Sequence, residues 1–168
     1  QDIDLVASLY MKIKSDGLNE YVFHEHEDIS MERFIVFCML PSTLVQVLAI
    51  EKDGERPEMV GGTWISDIEE VGGLVSKGIA SFVFLREYQF PDLTAKFGAF
   101  VLEYWFRVLG LTSIVGSTPE YNRAALAYVK RLGFSNVGKI KNHTVFGGQA
   151  CDAVINQLTI EDFGRIYG

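Results

Sequence analysis

The pattern of apolar and polar positions divides the chain into a regular series of elements. Ile3, Leu5, Val6, Leu9, Tyr10 and Ile13 recur at helical spacing over Ile3 to Lys14. Ser30 can cap a second helix, whose apolar side is Phe34, Phe37, Cys38 and Met39 and which ends at Pro41. Thr43 to Glu51 is rich in β-branched and aliphatic residues and reads as a strand. Lys52 to Glu58 is a polar loop with a turn signal, and Met59 to Ile68 is the returning strand, with Gly61-Gly62 marking a bulge or a close approach. Val71 to Gly78 is a glycine-containing connection to a third, almost unbroken apolar strand over Ile79 to Leu85.

Pro91-Asp-Leu-Thr then opens a long helix over Ala95 to Leu109. Its apolar face is Phe97, Phe100, Val101, Tyr104, Trp105 and Val108, and Gly110 closes it. Leu111 to Ser117 is a strand. The stretch from Asn122 to Leu132 is a short amphipathic helix that stops at Gly133, with Ala125, Leu126, Val129 and Leu132 on one stripe. Gly133 suits the left-handed position just past its end, with Phe134 folding back. Val137 to Ile140, Thr144 to Phe146 and Cys151 to Leu158 are further strands, with Gly147-Gly148 as a hairpin signal. Ile160 to Gly168 can pack on a partner, as in a homodimer, or fray.

The third strand, the long helix and the fourth strand form a βαβ unit, so those two strands are expected to be parallel. The earlier hairpin is expected to be antiparallel. The result is an α/β (α+β) fold: a mixed, mostly antiparallel sheet with a central parallel βαβ unit and helices on both faces.

Composition narrows the function classes. A chain of 168 residues, 48% apolar and 22% charged, is sized for one domain, residues 1–168, with a real core. The net charge of −7 argues against a nucleic-acid surface and suits a cationic partner such as an amine. No stretch approaches the roughly 20 apolar residues of a membrane span, and the amino end lacks a signal peptide, so the expectation is a cytoplasmic protein. Cys38 and Cys151 show no metal spacing; they allow one disulfide or two thiols, and a reducing compartment favours thiols. His24-Glu25-His26-Glu27-Asp28 could place two imidazoles on one face, but no third ligand has motif spacing, so it reads as a solvated connector and no metal is expected. His143, in Lys-Asn-His, reads as a surface turn residue.

The strand, turn, Asn122-x-x-Ala125 helix and Leu132-Gly133-Phe134 exit, taken in this order of elements, resemble the last conserved segment of the GNAT N-acetyltransferase superfamily. The resemblance covers about residues 3 to 158. Pro119-x-Tyr121-Asn122-Arg123-x-Ala125 with Arg131-Leu-Gly-Phe is most similar to GNAT-like proteins of phages and prophages. It implies the acyl-CoA N-acyltransferase fold, acetyl-CoA (coenzyme A) as co-substrate and an amine acceptor, in a host cytoplasm if the chain is phage-encoded. A GNAT-fold protein without the reaction, such as a phage assembly protein or an acyl-CoA-binding module, is the alternative.

The resemblance also implies a site beyond the carboxyl ends of the parallel strands, between Phe84-Leu85-Arg86-Glu87 and Gly116-Ser117-Thr118. The family's pyrophosphate loop falls on Leu93 to Gly98. Only Gly98 matches it, while Leu93 and Lys96 replace the polar residue and the first glycine. Free amides at the helix start suit an anion, Lys96 adds charge and Gly98 allows close approach, so Ala95, Lys96, Phe97 and Gly98 join Phe84 and Leu85 as expected cofactor contacts. Asn122 matches the family's pantetheine-binding asparagine and is also a plausible helix cap. Val129 stands where many members carry a tyrosine acid and Ala125 where others carry serine; Tyr128, one helical step away, is expected to point elsewhere. Glu87, just past the third strand, is the candidate base, with a solvated loop carboxylate as the plain alternative; Asp67 and Glu69 are weaker candidates.

Overall fold

The computed structural model describes residues 2–22, 29–51, 54, 56–73 and 75–168. The His24 to Asp28 cluster and part of the Lys52 to Glu58 loop lie outside the described residues. Helices α1 (Ile3–Ser15), α2 (Asn19–Val22) and α3 (Met31–Cys38) lead into strands β1 (Leu44–Ile50), β2 (Glu58–Val71) and β3 (Val75–Phe84). A single 3-10 turn follows, then α4 (Pro91–Glu103), β4 (Ser113–Pro119), α5 (Arg123–Arg131), β5 (Ser135–Phe146), β6 (Gln149–Thr159) and α6 (Ile160–Tyr167).

The strands form one sheet in the order β1-β2-β3-β4-β6-β5. β3 and β4 are parallel, and every other neighbouring pair is antiparallel. Helices cover both faces, as the apolar pattern requires. On one face α1 and α3 bury Leu9, Ile13, Phe34 and Cys38 against Trp64 and Val83. On the other, Val101, Leu102, Trp105 and Phe106 pack with Ile65, Ile114, Leu132, Leu158 and Phe163. Among the described residues no helix is long and apolar enough to cross a membrane.

Several elements differ from the sequence expectation for local physical reasons. The long helix starts at Pro91 rather than Ala95, because proline's fixed φ suits the first helical position, where its missing N–H costs nothing. Its last turn, Tyr104–Val108, is a π turn in which the Leu109 amide donates to the Tyr104 carbonyl, 3.1 Å away. The extra residue shifts the helical phase. Trp105 and Phe106 are therefore buried side by side and Val108, expected on the apolar face, is 66% exposed; Phe100, also expected there, lies upstream of the turn and is 67% exposed on the regular part of α4. The Trp105 indole N–H donates to the Gln46 side chain at 2.8 Å.

The Val71 to Gly78 connection is mostly strand, reduced to a tight turn at Gly72-Gly73. The two segments expected at Val137 to Ile140 and Thr144 to Phe146 are one strand, β5, interrupted by an irregularity between Ile140 and Thr144. The carboxyl end neither frays nor stands apart: α6 stacks Phe163 on Phe106 with ring centroids 4.9 Å apart. Both cysteines are free thiols; Cys38 is fully buried, and desolvation pushes its thiol up to about 12.

Gly61-Gly62 is a close approach. A Cβ on Gly61 would lie 2.2 Å from the Val83 carbonyl oxygen, and one on Gly62 would lie 2.4 Å from a Leu9 methyl. The α5 exit matches the sequence reading. Gly133 has φ 92°, its amide donates to Lys130 O and the Phe134 amide donates to Val129 O, both at 3.0 Å. These are the two bonds of a Schellman motif.

Candidate functional site: a passage through the sheet

The site arises from a failure of pairing. β3 and β4 are in register only over Lys77↔Ser113, Gly78↔Ile114 and Ile79↔Val115. Beyond that row β3 stays with β2, as in Ala80↔Ile65 and Phe84↔Gly61, while β4 stays with β6, as in Gly116↔Asn156 and Pro119↔Ala153. The facing edges of Ala80 to Phe84 and of Gly116 to Pro119 are not paired with each other, so the sheet opens as a wedge. On the β3 side Ser81 O already accepts from Thr63 Oγ1 at 2.7 Å and Phe84 O from Gln89 Nε2 at 2.9 Å, so an extended guest between the edges would bond to the other backbone groups or share these carbonyls.

Three cavities meet in this wedge. One, of about 680 Å³, lies between the end of β3, the start of α4 and the inner side of α5, lined by Phe82, Phe84, Thr94, Asn122, Ala125 and Tyr128 among others. A narrow neck of about 90 Å³ runs between Ser81-Phe82 and Gly116-Ser117-Thr118. A third cavity, of about 510 Å³, lies under α3 on the opposite face, against Trp64, Ile79, Val115 and Ile155. The first cavity and the neck share Tyr21, Val22, Phe82, Asn122, Ala125 and Tyr128; the neck and the last cavity share Val22, Trp64, Ala80, Ser81 and Ser117, so Val22 of α2 borders all three. The three form one passage through the sheet.

α5 shapes the passage by what it leaves out. Ala124, Ala125 and Ala127 give the flank of α5 that borders the cavity little bulk, while Val129 and Leu132 pack the core. Asn122 caps this helix, its Oδ1 accepting from the Ala125 amide at 3.1 Å, and it also lines the passage. Tyr128 corrects the rotation argument made from the sequence, because it faces the cavity. Its ring meets Phe82 and Phe84 edge-on at 5.5 and 5.6 Å. Its hydroxyl donates to the Thr94 carbonyl of α4 at 3.2 Å. Desolvation, with a smaller contribution from Tyr167, pushes its pKa well up, so the phenol stays protonated.

The other expected contacts divide. Phe84 lines the large cavity. Leu85 is buried, and its amide is spent on the Val60 carbonyl at 3.0 Å. Ala95, Lys96, Phe97 and Gly98 lie inside α4, beyond its first turn, and none lines a cavity. Gly98 faces α5: a Cβ there would lie 2.4 Å from the Tyr128 hydroxyl and 2.7 Å from a Leu132 methyl. Its smallness serves helix packing. The free amides are those of Asp92 and Leu93, since the first helical bond is Thr94 N–H to Phe90 O at 2.9 Å. Pro91 and Thr94 bring this helix end to the cavity rim. Glu87 is exposed on the 3-10 turn and lines none of the cavities.

Two cations border the large cavity, and both are already engaged. Arg131 pairs with Asp92 at 2.7 Å, and Arg86 binds the α1 carboxyl end through Asp16 O at 2.6 Å. At the neck the Ser117 hydroxyl is buried and has no hydrogen-bond partner among the described residues. A buried hydroxyl without a partner costs about 1–3 kcal/mol. The sequence reading places Ser117 at the mouth of the site, within Gly116-Ser117-Thr118, but gives it no role of its own. Among the described residues no group of His, Cys, Asp and Glu could hold a metal ion.

No protein-family model and no curated protein matches this sequence. Solved structures do match the fold. A spermidine N-acetyltransferase from Vibrio cholerae, solved with CoA and spermine, aligns with TM-score 0.77 over 96% of this chain and 92% of its own, at 14% identity. A ribosomal-protein-S5-alanine acetyltransferase from Vibrio fischeri aligns with TM-score 0.73 over 96% and 90%, at 15% identity. The chain has the acyl-CoA N-acyltransferase fold; at these identities the likeness is one of architecture.

Proposed function

We propose that this chain is an acetyl-CoA-dependent N-acetyltransferase acting on an amine acceptor. The observation that carries the reading is the continuous passage joining two cavities on opposite faces of the sheet through the β3–β4 wedge. Acyl donor and amine need to arrive from different sides and meet at one point, and the neck is such a point. The cavity beside α4 and α5 suits coenzyme A. The unpaired edges of β3 and β4 can bond the amides of a pantetheine arm, and the amides of Asp92 and Leu93 face an anion with the helix dipole behind them. Arg131 can exchange Asp92 for a phosphate. The orphaned Ser117 hydroxyl is the kind of group a bound thioester would satisfy, so the residues present fit the co-substrate.

In the reaction so read, a neutral amine nitrogen attacks the thioester carbonyl carbon. The C–N bond forms, the C–S bond breaks, the nitrogen gives up a proton to solvent through a water chain and the departing sulfur collects one. Ser117 is our candidate donor to that sulfur, in place of the tyrosine that Val129 replaces. Phe84, Asn122 and Ala125 line the path of the arm. Gly98 and Lys96 act through helix packing and surface charge, and Glu87 has no part in the chemistry.

A second reading, an acyl-CoA-binding protein without transfer, is favoured by one observation: the Asp92 carboxylate stands at the helix end where a pyrophosphate would sit, paired with Arg131. The two readings part in one assay. Thiol release from acetyl-CoA across a panel of primary amines supports the transferase. Binding of acetyl-CoA with no amine-dependent thiol release supports the binding module.

A further inference from the structure

The wedge needs something to hold it open. Neighbouring strands sit about 4.8 Å apart, so a guest between β3 and β4 needs roughly twice that spacing. The row Ile79↔Val115 is a parallel pair ready to extend, and zipping it up would satisfy the unpaired edges. Neither strand carries a bulge over the wedge. β3 keeps an unbroken register with β2 from Ile79 to Phe84, and β4 keeps one with β6 from Ser113 to Pro119.

One segment crosses the open end and is fastened on both sides. α1 stops at a Schellman motif, in which Leu18 N–H donates to Ile13 O and Gly17 N–H to Lys14 O, both at 3.1 Å, with Gly17 at φ 65°. The chain turns there into α2, so the short helix is joined rigidly to α1. On the β3 side, Arg86, two residues past the strand, grips this turn. Its backbone N–H donates to Asp16 Oδ2 at 2.8 Å, and its guanidinium donates to Asp16 O at 2.6 Å and to Gly17 O at 3.4 Å. On the β4 side, Tyr121, two residues past that strand, meets the Tyr21 ring edge-on at 6.2 Å. Phe146, at the end of β5, stacks on Tyr121 at 4.1 Å and meets Tyr21 at 6.1 Å. Between these fastenings Leu18, Tyr21 and Val22 border the large cavity.

We propose that the segment from Asp16 to Val22 is a spacer bar that holds β3 and β4 at guest width before an acyl-CoA arrives, and that Tyr121 and Phe146 are positioning residues acting through Tyr21. This rests on the acyl-CoA reading above. A site already open takes its ligand without first parting a closed strand pair, so the apparent affinity follows the fraction of molecules whose wedge is open. Phe146 lines none of the three cavities, so its effect on a ligand passes through the ring clasp. It is half-buried near the end of a hairpin, so its ring can be removed without emptying the core.

The test is acetyl-CoA binding to the full chain, followed by stopped-flow tryptophan fluorescence, in Phe146→Ala and in Phe146→Tyr, which keeps the ring. Phe146→Ala is expected to slow association about fivefold or more and to change dissociation less than about twofold, so that Kd rises by the factor lost in association. Phe146→Tyr is expected to bind as the parent chain does. Phe163→Leu, which loosens the ring stack between α6 and Phe106 instead, is expected to lower Tm with association unchanged. Hydrogen exchange reads the wedge without a ligand: amides over residues 80–84 and 116–119 are expected to exchange more slowly in Phe146→Ala, as the edges zip together. Unchanged association in Phe146→Ala, an equal loss in Phe163→Leu, or exchange that is unchanged or faster overturns the spacer bar and leaves the acyl-CoA reading standing. No acetyl-CoA binding by the parent chain overturns the acyl-CoA reading; slower exchange in Phe146→Ala then still supports the bar, and unchanged or faster exchange overturns it as well.

Discussion

Gly98→Ala separates helix packing from ligand contact at a position that the family resemblance assigns to the cofactor. In α4 the new methyl would lie 2.4 Å from the Tyr128 hydroxyl and 2.7 and 2.8 Å from the two Leu132 methyls. Ordinary contact begins near 3.4 Å, so roughly 1 Å of movement is required. Leu132 is fully buried and has nowhere to go, and Tyr128 can retreat only by stretching its 3.2 Å bond to Thr94 O. Removing a glycine from a helix interior returns about 1 kcal/mol. Overpacking costs about 1–3 kcal/mol and the strained hydrogen bond about 0.5–1.5 kcal/mol. The net expectation is destabilisation of about 1–3 kcal/mol, read as a lower urea midpoint with an unchanged m-value. Gly98→Ala combined with Tyr128→Phe is expected to recover part of the loss, because the clashing oxygen is gone, giving a coupling energy of about 0.5 kcal/mol or more. If Gly98→Ala instead raises stability by about 1 kcal/mol and abolishes acetyl-CoA binding, Gly98 faces the ligand and the packing argument is wrong.

Three further outcomes follow from the passage and the core. Ala125→Phe places a ring at the neck of about 90 Å³ and is expected to cut amine-dependent thiol release about 100-fold or more while the chain still folds; unchanged turnover would mean the path lies elsewhere. Ser117→Ala is expected to stabilise the free protein by about 1 kcal/mol by removing an unsatisfied hydroxyl, and to lower kcat about 100-fold with KM little changed. A stable variant with full kcat would strip Ser117 of its proton-donor role. Cys38 is raised from 9.0 to about 12 by burial, so its thiol stays protonated in the folded state after the unfolded chain has lost the proton. Its contribution is therefore whole below pH 9 and is lost as the pH rises towards 12, at up to about 1.4 kcal/mol per pH unit. In alkaline urea titrations Cys38→Ala is expected to start less stable and to show a shallower decline; an identical slope would show that Cys38 is not desolvated.

What the sequence made legible was periodic or punctuated. The Asn122 cap, the Gly133-Phe134 exit and the parallel β3–β4 pair depend on local spacing and connection rules, and the structure has each of them. The elements misread are those in which one residue is added to a regular repeat. The π turn at Tyr104–Val108 shifts the phase after Tyr104 and leaves Val108 exposed, and nothing in the local composition marks it; Phe100, upstream of the turn, is exposed on the regular part of α4. The breaks at Asp67 and Asn142 fall inside the β2–β3 and β5–β6 pairs and carry no glycine or proline to mark them, so His143 read as a surface residue although it lines a cavity. Gly98 invited a phosphate role because its real neighbours, Tyr128 and Leu132, lie a helix away. Pro91 was a readable start signal that placed the helix amides four residues earlier than the loop comparison did. The wedge itself is invisible to composition: it follows from where β3 and β4 stop pairing, a property of the assembled sheet.

The most direct measurement of the central claim is thermal unfolding of the full chain with and without acetyl-CoA, beside Ala125→Phe. At about 100 times the dissociation constant the ligand is expected to add roughly 2.7 kcal/mol. For a chain of 168 residues that raises Tm by about 5–10 °C, and the shift is expected to vanish in Ala125→Phe. No shift in the wild-type chain at millimolar acetyl-CoA, or an equal shift in the blocked variant, would contradict the passage as the acyl-CoA site.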